Sequence, residues 1–217
     1  MKYPINEIFE TIQGEGYYIG TPSIFIRFQG CPVGCIWCDT KYTWSHSIKE
    51  KISINEMVNK KKNNKKWSLL NIEDILKIIK KWTSKHVVIT GGEPCLYNLI
   101  DITKILENNG YKCQIETSGI KNILCSLNTW ITLSPKKNKK PTEKSIIVSN
   151  EIKFPILEKK DIFYIYEILS SIKDNKKRMI YLQPVNQDKK ALEICLNLCK
   201  KNNWKLSIQL HKYLNIP

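Results

Sequence analysis

Residues 23–38 read Ser23-Ile-Phe-Ile-Arg-Phe-Gln-Gly-Cys31-Pro-Val-Gly-Cys35-Ile-Trp-Cys38. The aromatic and β-branched run at the start predicts a short strand over Ser23–Gln29. The three cysteines that follow have the spacing of one helix face, where buried cysteines act as small hydrophobes. However, glycine costs about 1 kcal/mol and proline about 3 kcal/mol in a helix interior, and both residue types lie among these cysteines. The segment therefore predicts a strand that ends in a cysteine-bearing loop.

The three thiols favour a metal or cluster site over a disulfide. Disulfides need an oxidising compartment, and three clustered thiols do not pair evenly. A structural zinc takes four ligands, and an iron–sulfur cube usually takes one thiolate per iron. Cys31, Cys35 and Cys38 therefore predict a site with one open position, at which a cube could bind a further ligand.

Length and composition predict a soluble protein of one large domain or two small ones, of which we expect the single domain. The chain has 217 residues, of which 42% are hydrophobic, so it can bury a substantial core. No apolar run reaches the ~18 residues of a membrane helix, and the N-terminus lacks the apolar region of a signal peptide. We therefore expect a single domain over 1–217, a cytoplasmic location, no membrane contact and reduced cysteines.

The net charge of +15 has two interpretations. It is typical of proteins with an anionic partner, such as a nucleic acid or a phosphorylated ligand. Yet all basic residues except Arg27 and Arg178 are lysines, which indicates a compositional bias, and nucleic-acid modules usually add arginines and interleaved aromatic residues. We therefore expect no specific nucleic-acid partner. The densest lysine run, 60–66, predicts a solvated loop within an exposed insert around 45–70.

Strand patterns alternate with amphipathic helix patterns after the cysteine loop. The predicted strands after Ser23–Gln29 are His86–Thr90, Tyr111–Thr117, Thr129–Ser134, Glu151–Phe154, Arg178–Gln183 and Trp204–Leu210. The predicted helices are Ile72–Trp82, Leu96–Asn109, Glu158–Ile172 and Lys189–Asn202. This order predicts an α/β fold, an incomplete (β/α) barrel of mainly parallel strands, with an open doubly wound sheet as the alternative.

Polar and glycine residues follow the predicted strands, where α/β proteins gather their function. They include Gly91-Gly92, Glu116, Ser134, Lys136, Gln183 and His211. Each of these residues also has a purely structural interpretation. A glycine pair after a strand, for example, is often only a turn. The remaining cysteines favour packing: Cys195 and Cys199 share an apolar helix face, and Cys95 is interpreted in the same way.

Two motifs in this order resemble the radical S-adenosylmethionine (SAM) superfamily. They are the CxxxCxxC loop with Trp37 and the Gly91-Gly92-Glu93-Pro94 segment. Further segments resemble the 7-carboxy-7-deazaguanine synthase family within it, over nearly the whole chain. Those segments are residues 10–16 (ETIQGEG), 38–44 (CDTKYTW), 116–119 (ETSG), 134–136 (SPK) and 211–217 (HKYLNIP).

The resemblance implies a radical SAM lyase. Its expected reaction converts 6-carboxy-5,6,7,8-tetrahydropterin to 7-carboxy-7-deazaguanine with loss of ammonia, in queuosine biosynthesis. The chemistry would lie with a 4Fe-4S cluster and SAM, and no protein side chain is expected to be catalytic. The implied cluster ligands are Cys31, Cys35 and Cys38, and the implied SAM contacts are Gly92, Ser134, Pro135, Lys136, Glu116 and Gln183.

The resemblance also implies a substrate site and partners. The implied substrate contacts are Ile12, Gln13, Gly14, Arg27, Thr90, His211 and Pro217, with Thr40 as a ligand of Mg²⁺. Arg27 would clamp the substrate carboxylate, and the carboxylate of Pro217 would reach the pocket, so a C-terminal tag should weaken substrate binding. A homodimer and a reductant such as flavodoxin are also implied.

Two other functions remain open at this point. Another radical SAM enzyme, such as a glycyl-radical activase, would share the cluster and GGEP segments but should lack the residue 10–16 segment, Arg27 and the HKYLNIP terminus. A zinc module that binds nucleic acid through its lysines would need a fourth ligand, for which His46 is the nearest candidate.

Overall fold

The computed structural model describes residues 1–61 and 63–217, which form nine strands in one sheet. The strands are β1 (Tyr3–Ile12), β2 (Pro22–Phe28), β3 (Ser68–Leu70), β4 (His86–Gly91), β5 (Lys112–Thr117), β6 (Trp130–Leu133), β7 (Glu151–Ile156), β8 (Met179–Pro184) and β9 (Lys205–Leu206). Their order across the sheet is β3-β1-β2-β4-β5-β6-β7-β8-β9.

The sheet is mainly parallel and open. From β2 through β4 to β9 every neighbouring pair is parallel, whereas β1 runs antiparallel to both β2 and β3. This confirms the predicted α/β class with an incomplete barrel of mainly parallel strands. Strands β1 and β3 are absent from the prediction, since β1 is half-buried along most of its length and contains Pro4. A period-2 pattern is weak in such a strand.

Most of the helices pack against strands of the sheet. The helices are α1 (Ile54–Asn59), α2 (Ile72–Ile79), α3 (Ile100–Asn108), α4 (Glu143–Val148), α5 (Asp161–Ser170), α6 (Lys189–Asn202) and α7 (Leu210–Leu214). Asn71 and Asp74 form a reciprocal capping box at the start of α2. Of the predicted helices, only α6 has the predicted bounds, because helix ends depend on caps as well as on periodicity.

The predicted strand Trp204–Leu210 is wrong over most of its length. Only Lys205 and Leu206 pair with β8, and the chain then enters α7 at Leu210. The backbone leaves α6 through Asn203 in the left-handed conformation, with φ of 54°. As a result His211 lies in a helix and not at a strand end.

The lysine-rich insert is more ordered than its composition indicates. Met57 and Trp67 are buried, and a Ser53–Glu56 capping box starts α1. The Lys60 ammonium donates to Asn6 Oδ1 at 2.9 Å and to two backbone carbonyls, so this lysine does not belong to a solvated loop. Burial lowers the pKa of Lys60 to about 8. Lys62, in the same run, lies outside the described residues.

The core has two parts, one around β1, β2, β4 and β5 and one around β7, β8, α5 and α6. Cys195 and Cys199 belong to the second part, as predicted, and Cys95 belongs to the first. None of the described helices is both long and apolar enough to cross a membrane.

Candidate active site

A cavity of about 450 Å³ opens at the carboxyl ends of the parallel strands. It brings together residues from β1, β2, the cysteine loop and the segment after it, the strands from β4 to β8 or the loops directly after them, and the C-terminal segment. All predicted cluster, SAM, Mg²⁺ and substrate contacts except one line it: Ile12, Gln13, Gly14, Arg27, Cys31, Cys35, Cys38, Thr40, Thr90, Gly92, Glu116, Ser134, Lys136, Gln183, His211 and Pro217. The exception is Pro135, which lines a neighbouring cavity of about 370 Å³ beside Cys35 and Trp37.

The cysteine loop leaves β2 through Gly30, whose φ of 96° suits glycine. Backbone bonds from Gly30 to Thr43 and from Cys31 to Trp44 hold the loop against the following segment. All three cysteines are free thiols that line the cavity. Burial raises the pKa of Cys31 to about 11 and also raises that of Cys35. These thiols therefore need a bound metal to become thiolates at neutral pH.

The three thiols suit a cluster, which does not require them to converge on a single ion. Around one zinc the sulfurs would lie about 3.8 Å apart, because each Zn–S bond is about 2.3 Å long. Within residues 1–61 and 63–217, no three His, Cys, Asp or Glu side chains converge closely enough to hold one metal ion. A cube binds each thiolate at a different iron and so accepts wider spacing. The His46 and Trp67 rings pack together with their centres 4.4 Å apart. This contact gives no support to His46 as a fourth zinc ligand.

The Gly91-Gly92 pair lets the end of β4 pack against the end of β2. A Cβ on Gly91 would lie 2.3 Å from Phe28 N, and one on Gly92 would lie 2.2 Å from Gly30 O. The backbone N–H of Gly92 donates to Phe28 O at 2.8 Å. The pair is therefore more than a turn, because it fixes the cysteine loop beside the GGEP segment.

Replacing Gly92 with alanine should displace the Gly30 backbone from its contact with residue 92. We expect the free energy of unfolding to fall by about 3 kcal/mol, because the backbone oxygen of Gly30 cannot rotate away from the new methyl group. Urea unfolding of the cluster-free protein measures it. Gly110→Ala is the control: its surroundings are open and only its positive φ is strained, so about 1–2 kcal/mol is expected. Equal losses for the two variants would contradict the packing role.

Glu93 holds the GGEP segment in place through hydrogen bonds, a role that its motif does not reveal. Its carboxylate is 2% exposed and accepts from the backbone N–H groups of Cys95 at 3.1 Å and Ser118 at 2.9 Å. The hydroxyls of Thr117 and Ser118 also donate to it. Glu93 thus joins the loop after β4 to the end of β5.

Arg27 lies in β2 opposite Glu7 in β1. Its Nε donates to Glu7 Oε1 at 2.7 Å, and the Tyr42 hydroxyl donates to the same oxygen at 2.8 Å. The guanidinium also lies over the Phe9 ring, 5.4 Å from its centre. Glu7 therefore orients Arg27 through Nε while the two terminal nitrogens remain suited to a carboxylate ligand.

Glu15 and Glu116 meet the buried ammonium of Lys153 on one wall of the cavity. Lys153 contacts Glu15 Oε2 and lies 3.0 Å from Glu116 Oε2. Burial alone would raise the pKa of Glu15, but Lys153 outweighs it and lowers that pKa to about 2. Burial would lower the pKa of Lys153, but the two carboxylates raise it above its usual value. Lys153 thus holds Glu15 as a carboxylate at neutral pH.

The C-terminal helix closes another wall. Leu210 N donates to Gly14 O at 3.0 Å, and a Cβ on Gly14 would lie 2.7 Å from His211 Nδ1. The Thr11 hydroxyl donates to Pro217 O at 3.1 Å. Gln209 donates to Glu15 Oε1 at 3.0 Å and to Asp39 Oδ2 at 2.9 Å. This network joins the helix to the residue that follows the last cysteine of the loop.

Among the remaining predicted contacts, Thr40 lies beside a cysteine, whereas Lys136 and Gln183 lie beside other polar side chains of the cavity. The Thr40 hydroxyl is 3.6 Å from Cys38 Sγ. The Lys136 ammonium donates to Ser134 Oγ at 2.5 Å, and burial lowers the pKa of Lys136. Gln183 Nε2 lies 3.4 Å from Glu15 Oε1.

Sequence reasoning missed Glu7, Glu15, Glu93, Lys153 and Gln209 as cavity residues. Glu15 and Glu93 do lie inside motifs quoted above, so their motif positions were a usable signal. The only signal for Lys153 was its place in a predicted strand that also contains apolar residues, where an unpaired charge is costly.

Comparisons with known proteins agree with this geometry. A family model described as "Radical SAM superfamily" matches residues 25–146. The chain is 63% identical to 7-carboxy-7-deazaguanine synthase of Buchnera aphidicola subsp. Schizaphis graminum and 48% identical to that of Escherichia coli K12, with all of each chain covered. The crystal structure of QueE from Escherichia coli superposes with a TM-score of 0.93 at 46% identity, covering 97% of this chain and 95% of that one. The chain therefore belongs to the 7-carboxy-7-deazaguanine synthase family of the radical SAM superfamily.

Proposed function

We propose that this protein converts 6-carboxy-5,6,7,8-tetrahydropterin to 7-carboxy-7-deazaguanine with loss of ammonia, as a carbon–nitrogen lyase in queuosine biosynthesis. The observation that carries the proposal is full-length identity of 63% and 48% to enzymes of that name. The same identity, together with the HKYLNIP terminus and Arg27, favours this reaction over glycyl-radical activation.

The residues present fit the cofactors of the superfamily. Cys31, Cys35 and Cys38 would hold a 4Fe-4S cluster, since these three free thiols line one cavity. When bound, the cluster and SAM supply the radical that starts the rearrangement. The proposed SAM contacts are Gly92, Ser134, Pro135, Lys136, Glu116 and Gln183.

The chain's own residues bind and orient the substrate. Arg27, already aligned by Glu7, would pair with the substrate carboxylate through its terminal nitrogens. We propose that Thr40 ligates a Mg²⁺ beside this carboxylate, as hard hydroxyl oxygens suit that ion. The other proposed substrate contacts, all in the cavity lining, are Ile12, Gln13, Gly14, Thr90, His211 and Pro217.

The proposal also covers the domain organisation, oligomeric state, location and electron donor of the protein. We propose a single catalytic domain over residues 1–217, acting as a homodimer in the cytoplasm and reduced by an electron carrier such as flavodoxin. The reduced state of the eight cysteines agrees with this location.

Anaerobic turnover tests the function. The reconstituted protein is incubated with SAM, dithionite and the carboxy-tetrahydropterin, and the products are separated by liquid chromatography with mass detection. We expect 7-carboxy-7-deazaguanine and ammonia in equal amounts. SAM cleavage without any deazaguanine product would count against the substrate and leave only the superfamily chemistry.

Arg27→Lys should weaken substrate binding. A lysine keeps the charge but loses the planar two-point contact, which is worth about 1.5–3 kcal/mol, so we expect KM to rise about 10- to 100-fold with a smaller change in kcat. The other arginine offers a matched control, since Arg178 forms a two-point pair with Asp174 and does not line the cavity. Arg178→Lys should alter stability and leave KM unchanged. Similar KM values for the two variants would contradict the clamp.

A further inference from the structure

Lys153 is a buried cation to which neither the sequence motifs nor the family resemblance assigns a role. It lies in β7, is 4% exposed, and lines the cavity. Its ammonium contacts Glu15, in the loop after β1, and Glu116, near the end of β5. One side chain thus joins three separate segments of the chain at the cavity wall.

Together with Gln13, these three residues close a ring that includes the backbone N–H of Glu15. Glu116 Oε1 accepts from Gln13 Nε2 at 3.0 Å, while Gln13 Oε1 accepts from the backbone N–H of Glu15 at 3.1 Å. Glu15 and Glu116 both return to Lys153. The Gln13 amide is therefore held at both ends, with its nitrogen also 3.2 Å from Gln114 Oε1. Gln13 and the adjacent Gly14 are proposed substrate contacts.

Packing alone does not account for a lysine at this position. Taking an ammonium and two carboxylates out of water is costly, and apolar side chains of similar volume often stabilise a protein as well or better. The ring carries one net negative charge and faces a cavity whose proposed ligand is a pterin, which offers ring N–H and amino donors. A fixed pair of carboxylates beside a fixed amide suits such donors.

We propose that Lys153 is a positioning residue for the pterin reaction, fixing Gln13, Glu15 and Glu116 in the arrangement that receives the substrate. The inference rests on the proposed function and adds to it a residue that acts through its neighbours. Without the ammonium, two carboxylates would face each other across a buried space. One would then retain a proton near neutral pH, and the other contacts of the ring would rearrange.

Other titratable groups surround the ring. Lys136 approaches from the end of β6, His211 from α7, and Glu151 from the start of β7. Asp39 is linked through Gln209. All of these remain in a Lys153 variant, so a difference between variant and parent isolates the missing ammonium.

The test compares Lys153→Met with the parent protein, using substrate binding to the cluster-free protein measured by anaerobic calorimetry from pH 5.5 to 8.5. In the parent, Lys153 keeps Glu15 ionised over this range, and we expect affinity to change little with pH. In the variant we expect affinity about 10- to 100-fold weaker at pH 8, improving as the pH falls because protonation relieves the repulsion. In turnover, KM should rise more than kcat falls.

Three further variants keep the test decisive. Lys153→Arg retains the charge and should recover most of the affinity and the flat pH profile. Lys153→Gln should behave like the methionine variant and substitutes for it if that protein does not fold. Lys137→Met removes the partner of Asp161 outside the active-site cavity and should leave affinity unchanged.

The outcomes separate the two proposals. A parent protein that does not bind the pterin at all would remove the proposed function, and the role of Lys153 with it. A parent that binds, with Lys153→Met and Lys153→Gln binding equally well at every pH, would overturn the positioning role alone, even if both variants melt at a lower temperature.

Discussion

Cys35→Ala is expected to abolish turnover. With one of three thiolates removed, the remaining two cannot anchor a cube that already lacks a fourth protein ligand. Anaerobic reconstitution should therefore yield far less than the parent's expected about four irons per chain, and the brown visible absorbance should be lost. Iron analysis, the visible spectrum and SAM cleavage measure the effect together.

The chain contains a matched control for this loss. Cys199 is also a free thiol, 9% exposed, but it packs in α6 within the second part of the core. Cys199→Ala should keep its full iron content and lose only some stability. A Cys35→Ala protein that still binds iron as fully as Cys199→Ala would remove the cysteine loop as the cluster site.

Glu93→Ala is expected to lower the free energy of unfolding by about 3–5 kcal/mol. The change leaves the backbone N–H groups of Cys95 and Ser118 and the Thr117 hydroxyl without their acceptor in a buried space, and each such group costs about 1–3 kcal/mol. This is a large share of the about 5–15 kcal/mol by which native proteins are stable. Urea unfolding of the cluster-free protein provides the measurement.

Two companion variants define the origin of that loss. Glu93→Gln keeps one acceptor oxygen and should lose about half as much free energy as the alanine variant. Glu158→Ala removes an exposed glutamate that pairs with Lys160, and exposed pairs contribute about 0–1 kcal/mol. A Glu93→Ala loss no larger than that of Glu158→Ala would show that the hydrogen bonds of Glu93 do not stabilise the GGEP segment.

The local sequence pattern is sufficient to predict the parallel strands and the residues at the rim of the cavity. Buried parallel strands read as apolar runs, and the glycine and polar residues directly after them must meet at one edge of the sheet. That is why Cys31, Gly92 and Lys136, from three distant parts of the chain, were expected together. The antiparallel β1 had no comparable signal, because a strand that is only half-buried along most of its length carries no continuous apolar run.

Motif resemblance extended that prediction to individual side chains. The residue 10–16 segment placed Gln13 at the substrate, although the strand before it was missed. His211 was placed in the cavity for a wrong local reason, since it lies in α7 and not at the end of a strand. It still lines the cavity, because Leu210 bonds back to Gly14.

The amino-acid sequence by itself determined the class of sheet, the cysteine loop and the family, because each depends on residues that are neighbours along the chain. Only the tertiary structure revealed the contacts of Glu93 and Lys153. Lys153 and Glu15 are 138 positions apart, and no periodicity or spacing links them. A buried charge is tolerated only beside groups that pair with it. The partners of Lys153 come together only after the sheet has brought β1, β5 and β7 to one cavity.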